Sequence, residues 1–430
     1  MIEPARIQAA LDILEQVADS LSADGASADV LIRKYFRTRR YAGSRDRRAV
    51  TGLVYQVIRN WGYLCDQTAG DMRRMLLLSL SETQDSESLE ALFNGADHAP
   101  DVLSDEERAF VSEAHEKLPH HDLNYPLWLE DRLKMRFGDN FSDELARLNG
   151  RAPFELRVNT GKGEGDKVEA FLKSEGLAFE KGKWAETALI LDENPRIDAW
   201  EIYQEGLIEV QDEAAQLAVK LADIKPGQQV MDLCAGAGGK TLAAAALMDN
   251  KGQIYAFDNN KYRLKDLKPR AKRADARILQ VHLIDTAGGK RKSILAEHEA
   301  RMDRVMLDVP CSGSGVWRRN PESKWRLTEE KLTQYCRIQK NLLTEGWGFV
   351  KPGGRMIYMT CSLFVDENEH QIETFLAEQK DAKLVSYRSI DQGEGAPELK
   401  SLSTLPECLA LSPYSHGTDG FFVAILEKSA

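Results

Sequence analysis

No apolar run in this sequence approaches the roughly 20 residues a helix needs to span a bilayer, which excludes an integral helical membrane protein. The opening residues, Met1-Ile2-Glu3-Pro4-Ala5-Arg6, lack the basic start and apolar stretch of a secretory signal. The six cysteines form neither a Cys-x-x-Cys pair nor the Cys/His spacing of a zinc site. The expected setting is therefore a reduced cytoplasm, where free thiols can act as nucleophiles. The eight histidines show no ligand spacing either; His120-His121 reads as a solvated loop pair, and no metal is expected. Positive charge is scarce overall, since 57 Lys and Arg against 68 Asp and Glu leave a net charge of −11. Binding a phosphate-rich partner would require positive charge gathered locally.

Such a gathering lies near the N-terminus. Between residues 33 and 48, Arg33, Lys34, Arg37, Arg39, Arg40, Arg45, Arg47 and Arg48 face a single acid, Asp46, with Tyr35, Phe36 and Tyr41 among them. The plain alternative is a solvated helix-and-loop surface. Density and asymmetry favour RNA, with cations on phosphates and rings stacking on bases. At 430 residues, 43% hydrophobic and 29% charged, the chain reads as a soluble globular protein of two or three domains, expected to be a monomer.

Residues 1–130 read as all-helical, with apolar residues at helical spacing in Ile7, Ala10, Leu11, Leu14 and Val17, and again in Val50, Leu53, Val54, Val57 and Ile58. From 131 to 215 an amphipathic helix gives way to short alternating segments, Glu155–Asn159, Ala188–Leu191 and Leu207–Val210, which predict a small α+β linking domain. From 216 to 430 strands and helices alternate. Strand candidates are Gln229–Leu233, Gln253–Asp258, Ile278–Val281, Arg304–Asp308, Arg355–Met359 and Phe421–Leu426, with Lys351-Pro352-Gly353-Gly354 as a turn. That alternation implies a mostly parallel sheet with helices on both faces and a ligand site beyond the carboxyl ends of the strands.

The segment Asp232-Leu233-Cys234-Ala235-Gly236-Ala237-Gly238-Gly239-Lys240-Thr241 follows a strand and opens a helix. Its glycines let the backbone turn sharply and approach a ligand. Asp258 ends the next strand, placed to meet a ribose diol. The spacing is neither Gly-x-Gly-x-x-Gly nor a P-loop. A tight turn with a surface aspartate is the plain alternative. Two further strand-end acids, Asp285 and Asp308, suit a cationic, amine-bearing ligand and favour S-adenosylmethionine. Two cysteines also follow strand ends, Cys311 in Pro310-Cys311-Ser312-Gly313 and Cys361 in Thr360-Cys361-Ser362. A small buried hydrophobe is the commonest fate of a free thiol, and it is the reading for Cys65, Cys336 and Cys408. Cys234 reads as packing within the turn.

Cys234-Ala-Gly-Ala-Gly-Gly-Lys240, Asp308-Val-Pro-Cys-Ser-Gly-Ser-Gly315, Thr360-Cys361-Ser362 and Asp419-Gly-Phe-Phe422 resemble the signatures of the RsmB/NOP2/NSUN family of RNA cytosine-5 methyltransferases. Arg157-Val158-Asn159 and Val210-Gln211-Asp212-Glu213-Ala214 look like that family's upstream motif region, so the resemblance runs from about residue 150 to the end. The helical N-terminus is similar to the NusB-like domain of RsmB proteins. One departure is Ala237, where the family usually has proline; alanine leaves the turn usable but less rigid.

The resemblance implies a Rossmann-like class I methyltransferase domain, a small α+β linking domain and an all-α NusB-like domain. It makes Cys361 the nucleophile that adds to cytosine carbon 6 and Cys311 the thiol that assists release. Asp308 would lie between base and cofactor, and Lys240 would supply positive charge. For S-adenosylmethionine it carries over Cys234, Ala235, Gly236, Ala237, Gly238, Gly239 and Lys240, with Asp258 on the ribose, Asp285 near the adenine, Asp308 at the methionine end, and Arg263 as an added candidate. From the residues alone, the basic loop holding Arg318, Arg319 and Trp325 follows Cys311 and could hold the substrate strand; a stapled surface loop with Trp325 in the core is the plain alternative. The implied substrate is ribosomal RNA of the bacterial small subunit. Transfer RNA and a non-catalytic role as an RNA-binding assembly factor are the alternatives.

Overall fold

The computed structural model describes residues 1–23, 25–284, 289–390 and 397–430; at 289, 290, 292 and 293 it describes the backbone alone. The chain divides into two compact units, one made of Met1–Lys134, Gly138–Gly150 and Trp317–Thr328, the other of Met135–Phe137, Arg151–Val316 and Glu329–Ala430. Among the described residues no helix is long and apolar enough to cross a membrane.

The first unit is helical. Its helix Glu3–Ser22 turns Ile7, Ala10, Leu11, Leu14 and Val17 to one side, where they are buried with Val50, Val54, Val57 and Ile58 of helix Ser44–Arg59. Each Val, Leu or Ile among them contributes about 1.5–3 kcal/mol when fully buried. Helix Ala28–Thr38 turns Leu31, Ile32, Tyr35 and Phe36 inward by the same periodicity. The rings of Tyr35 and Phe36 therefore belong to the core and are not free to stack on bases, whereas Tyr41 is 72% exposed.

The segment Trp317–Thr328 lies in this helical unit, although the sequence places it inside the methyltransferase part. Its anchor is Trp317, which is fully buried. Glu322 accepts from the Ala28 N–H at 3.0 Å, Lys324 donates to the Asn124 carbonyl at 2.9 Å, and Arg326 donates to the carbonyls of Gly25 and Ala26. Arg318 is correspondingly 1% exposed, and its carbonyl accepts from Arg59. Arg318 is thus an interior side chain rather than a phosphate contact, while Arg319 beside it is half-buried.

The second unit contains two sheets. A small antiparallel sheet holds β1 (Phe154–Val158), β2 (Phe179–Lys181), β3 (Ala188–Leu191) and β4 (Ile208–Val210) in the order β2-β3-β1-β4. The large sheet holds β5 (Gln229–Asp232), β6 (Gln253–Asp258), β7 (Leu279–Leu283), β8 (Met302–Asp308), β9 (Val350–Thr360), β10 (Ala382–Val385), β11 (Leu409–Leu411) and β12 (Phe421–Lys428). Its order is β10-β12-β9-β8-β5-β6-β7, with β11 also on β12. Strands β5 to β9 pair in parallel, and β12 runs antiparallel to β9. This is a Rossmann-like doubly wound sheet, and its strand order reverses at β5, where such sheets open a ligand crevice. Lys351-Pro352-Gly353-Gly354 does not precede its strand but lies within it. Met302 pairs with Val350 and Arg304 with Arg355, so the strand bulges between them, with Gly353 at φ +71°.

Candidate active site

The crevice begins where β5 ends. Gly236 and Gly238 take left-handed backbone angles, φ +53° and +88°, and a Cβ on Gly238 would stand 2.0 Å from Leu267 Cδ1. The turn then enters helix Gly239–Leu247. Asp258, at the end of β6, accepts from the Gly236 N–H at 2.8 Å and the Asn260 N–H at 2.7 Å. The turn is braced from beneath by charge: Arg270 donates to the Ala237 carbonyl at 2.6 Å and, with Arg273, holds the buried Glu209. Arg157 donates to the Gly239 carbonyl at 2.6 Å, and burial pulls its pKa down to about 10. Glu209 and Arg270 escape sequence reading, although a charged residue inside an apolar strand, as at Glu209 and Arg157, is the signal that marks them.

Lys240, in the first turn of that helix, donates to Asp308 at the end of β8 at 2.7 Å and lies over the Phe421 ring at 5.0 Å. Burial works against its ammonium, but the Asp308 carboxylate outweighs it, and the pKa stands above the usual lysine value. Burial pushes Asp232, bonded to the Thr241 hydroxyl, up to about 7. Burial also pushes the Cys234 thiol well up, as expected of a packing residue.

Three chain segments then close on one another. The Gly315 N–H donates to the Cys361 carbonyl at 2.9 Å, and the Gly420 N–H to the Gly315 carbonyl at 2.9 Å. A Cβ on Gly315 would lie 2.1 Å from the Gly420 carbonyl oxygen, so this approach requires glycine. The closure sets Cys311 Sγ 3.4 Å from Cys361 Sγ. The Cys311 thiol is pushed well up, first by its hydrogen bond with Cys361 and then by burial, with the Glu367 carboxylate adding to both.

Cys311, Cys361, Lys240 and Asp308 thus come together at the carboxyl edge of the sheet with the turn Cys234–Gly239 and Asp258. Arg263 is exposed on the first turn of helix Lys261–Arg273, where no hydrogen bond or ion pair joins its side chain to the site among the described residues. Asp285 lies outside the described residues. His121 is buried in the helical unit rather than solvated. It gathers with Asp66 and His120, but its Nδ1 accepts from the Leu118 N–H at 3.1 Å. Its Nε2 therefore carries the proton shared with Asp66 and has no lone pair for a cation.

A parallel sheet with a glycine turn at its switch strand places the protein among Rossmann-like methyltransferases, and comparison with known proteins agrees. Residues 219–427 match the family described as 16S rRNA methyltransferase RsmB/F, and residues 125–198 match the RsmF/B-like ferredoxin-like domain. A probable ribosomal RNA small subunit methyltransferase B of Bacillus subtilis is 30% identical over 317 residues, covering 71% of this chain and 67% of that one. The solved structure of PH0851 is 28% identical with a TM-score of 0.80, covering 100% of this chain and 99% of the other. A methyltransferase homolog protein from Pyrococcus horikoshii is 29% identical with a TM-score of 0.60, over 71% and 96% of the two chains. This chain belongs to the RsmB/F methyltransferase family.

Proposed function

We propose that the protein transfers a methyl group from S-adenosylmethionine to carbon 5 of a cytosine in small-subunit (16S) ribosomal RNA, through a transient cysteine–cytosine bond. The observation that carries this reading is the pair of thiols 3.4 Å apart beside the Lys240–Asp308 pair. The cofactor suits the turn. A Cβ on Gly236 would meet nothing nearer than Asp258 Oδ2 at 4.0 Å, so the backbone is open to a ligand there. Asp258, fixed by two backbone N–H groups, keeps lone pairs for ribose hydroxyls. Residues 234–240 would line the cofactor, with Asp308 at its methionine end. S-adenosylmethionine, when bound, supplies an electrophilic methyl group on a sulfonium.

Carbon 5 of cytosine is too poor a nucleophile to take that methyl directly. The Cys361 thiolate adds to carbon 6, and carbon 5 of the resulting enamine-like ring bonds to the methyl as the methyl–sulfonium bond breaks, with a neutral thioether as leaving group. A water held by Cys311 takes the carbon 5 proton, and the electron pair left behind expels Cys361 as thiolate. The target base must be unpaired or flipped to reach the thiols. Lys240 sets positive charge beside the base. The helical unit, NusB-like in this reading, would hold the RNA. Lys34, Arg37, Arg40, Arg45 and Arg48 are exposed and make no hydrogen bond or ion pair among the described residues, and Tyr41 stands free beside them. Arg33 is held by Asp29, and Arg39 and Arg47 lie over the Tyr35 and Phe36 rings.

The test is a trap. Cys311→Ala protein mixed with S-adenosylmethionine and bacterial RNA should give a covalent protein–RNA band on a denaturing gel, and the band should vanish when Cys361 is also changed. Sequencing the trapped RNA names the target; transfer RNA in place of 16S would change the substrate and keep the chemistry. No band with any RNA, from protein that binds S-adenosylmethionine, would overturn the cysteine mechanism.

A further inference from the structure

We propose that Glu367 is a positioning residue that clamps both thiol-bearing turns and makes the two thiols unequal, by standing as a buried carboxylate behind Cys311. This rests on the cysteine chemistry above and goes beyond it, because neither the motifs nor the relatives' names give Glu367 a role. One carboxylate oxygen accepts from the Ser312 N–H and from Gln339 Nε2, both at 2.9 Å; the other accepts from the Ser312 and Ser362 hydroxyls, both at 2.5 Å. Ser312 and Ser362 directly follow Cys311 and Cys361, so one side chain ties the two turns. Burial raises the Glu367 pKa, and the four donors work against that rise, as suits an ionised carboxylate, which can only accept. The Glu367 backbone carbonyl is also fixed, by the Tyr358 hydroxyl at 2.6 Å.

The surrounding charges are unequal. Cys311 feels the Glu367 carboxylate, which disfavours a second negative charge there. Cys361 has the Lys240 ammonium as its charged neighbour instead. Tyr358, which faces Glu367 and Cys311 and also feels Cys336 and Cys234, has its hydroxyl driven well above the usual range by burial and stays neutral. An anion behind one thiol and a cation beside the other separates nucleophile from proton handler.

The experiment measures initial alkylation rates of Cys311 and Cys361 against pH in the full chain, resolved by mass spectrometry. Cys311, backed by the buried carboxylate, should be the later of the two thiols to react in the wild type. In Glu367→Gln the Cys311 profile should fall by about one pH unit. In Ser312→Ala/Ser362→Ala, which keeps the carboxylate, Cys311 should remain the later thiol while turnover drops. An unmoved Cys311 profile in folded Glu367→Gln overturns the proposal, as does wild-type Cys311 reacting at or below the pH of Cys361, a result that needs no variant. Correctly ordered thiols in protein that forms no RNA adduct would overturn the methylation reading and leave the role of Glu367 intact.

A separate observation concerns helix Lys261–Arg273, which carries seven basic residues and one acid, Asp266, in a chain of net charge −11. Lys261, Lys265, Lys268 and Lys272 recur at helical spacing along one exposed stripe, while Leu264, Leu267 and Ala271 face the core. Six exposed lysines elsewhere, Lys117, Lys134, Lys167, Lys251, Lys340 and Lys383, each hold a carboxylate. The four in the stripe hold none among the described residues, and Tyr262 beside them is 74% exposed. From charge complementarity we infer that this stripe, about 16 Å long, is a second RNA-backbone track, carried by the catalytic unit itself. It rests on RNA being the substrate.

Lys265→Ala/Lys268→Ala/Lys272→Ala should keep its helix by circular dichroism. The slope of log binding constant against log salt should shrink by about 2, the counterions three single-strand phosphates would release. An unchanged slope removes the track, whereas wild-type protein with no salt-dependent RNA binding removes the RNA reading as well.

Discussion

Glu367 in the catalytic unit and Lys324 in the helical unit are both charged residues in a protein interior, and they are treated differently. Glu367 receives four hydrogen bonds from three side chains and a backbone N–H. Lys324 gives one among the described residues, to the Asn124 carbonyl, and lies over the Trp317 ring at 5.4 Å. Burial, with the nearby Arg59 guanidinium, brings its pKa down to about 7, so near neutral pH about half of it is uncharged. A buried charge with a full set of partners can organise chemistry, while one with a single partner sheds its charge. The catalytic unit surrounds Glu367 with donors where its two thiol-bearing turns meet. The helical unit keeps its working charge on the surface.

Glycine sharpens the same contrast, because one substitution should have opposite signs in the two units. Gly238→Ala must take φ +88° and bring a Cβ to 2.0 Å from Leu267 Cδ1. Overpacking and left-handed strain together should cost about 2–4 kcal/mol, and displacement of the turn should abolish S-adenosylmethionine binding. Gly52 lies inside helix Ser44–Arg59, with nothing within 4 Å of its would-be Cβ. Gly52→Ala should stabilise the protein by about 0.5–1 kcal/mol. Chemical denaturation of both variants checks the pair, and equal signs would break the comparison.

What the sequence reveals also differs between the units. The glycine turn, Asp258 and the two cysteines are legible because each sits in a contiguous motif at the end of an apolar strand. Their brace is not. Glu209, Arg270 and Glu367 act across the fold, from positions no local pattern connects to Cys234 or Cys311. The short strands Phe179–Lys181, Ala382–Val385 and Leu409–Leu411 carry too few residues for their alternation to stand out. In the helical unit charge is legible but orientation is not. Only the helix phase decides that Tyr35 and Phe36 point inward while Tyr41 points out. The placement of Trp317–Thr328 depends on a buried tryptophan and lysine that read in sequence as a basic surface loop.

The subtlest test of the contrast is pH. Asp232 rises from 3.8 unfolded to about 7 folded, because burial disfavours its charge. The folded state then binds the extra proton, so stability from this group is full below pH 3.8 and is lost as pH climbs through 7. Lys324 falls from 10.5 to about 7, and here the unfolded state binds the extra proton. Its contribution therefore grows as pH rises from 7 to 10.5 and is withdrawn below 7. Asp232→Asn should flatten the acidic side of the stability profile, and Lys324→Met the alkaline side. Neither effect should exceed about 1.4 kcal/mol per pH unit. Denaturation midpoints taken from pH 4 to 10 would separate them, because the two variants must diverge from wild type on opposite sides of neutrality. Divergence on the same side would mean that the interior of one unit is wetter than its packing implies.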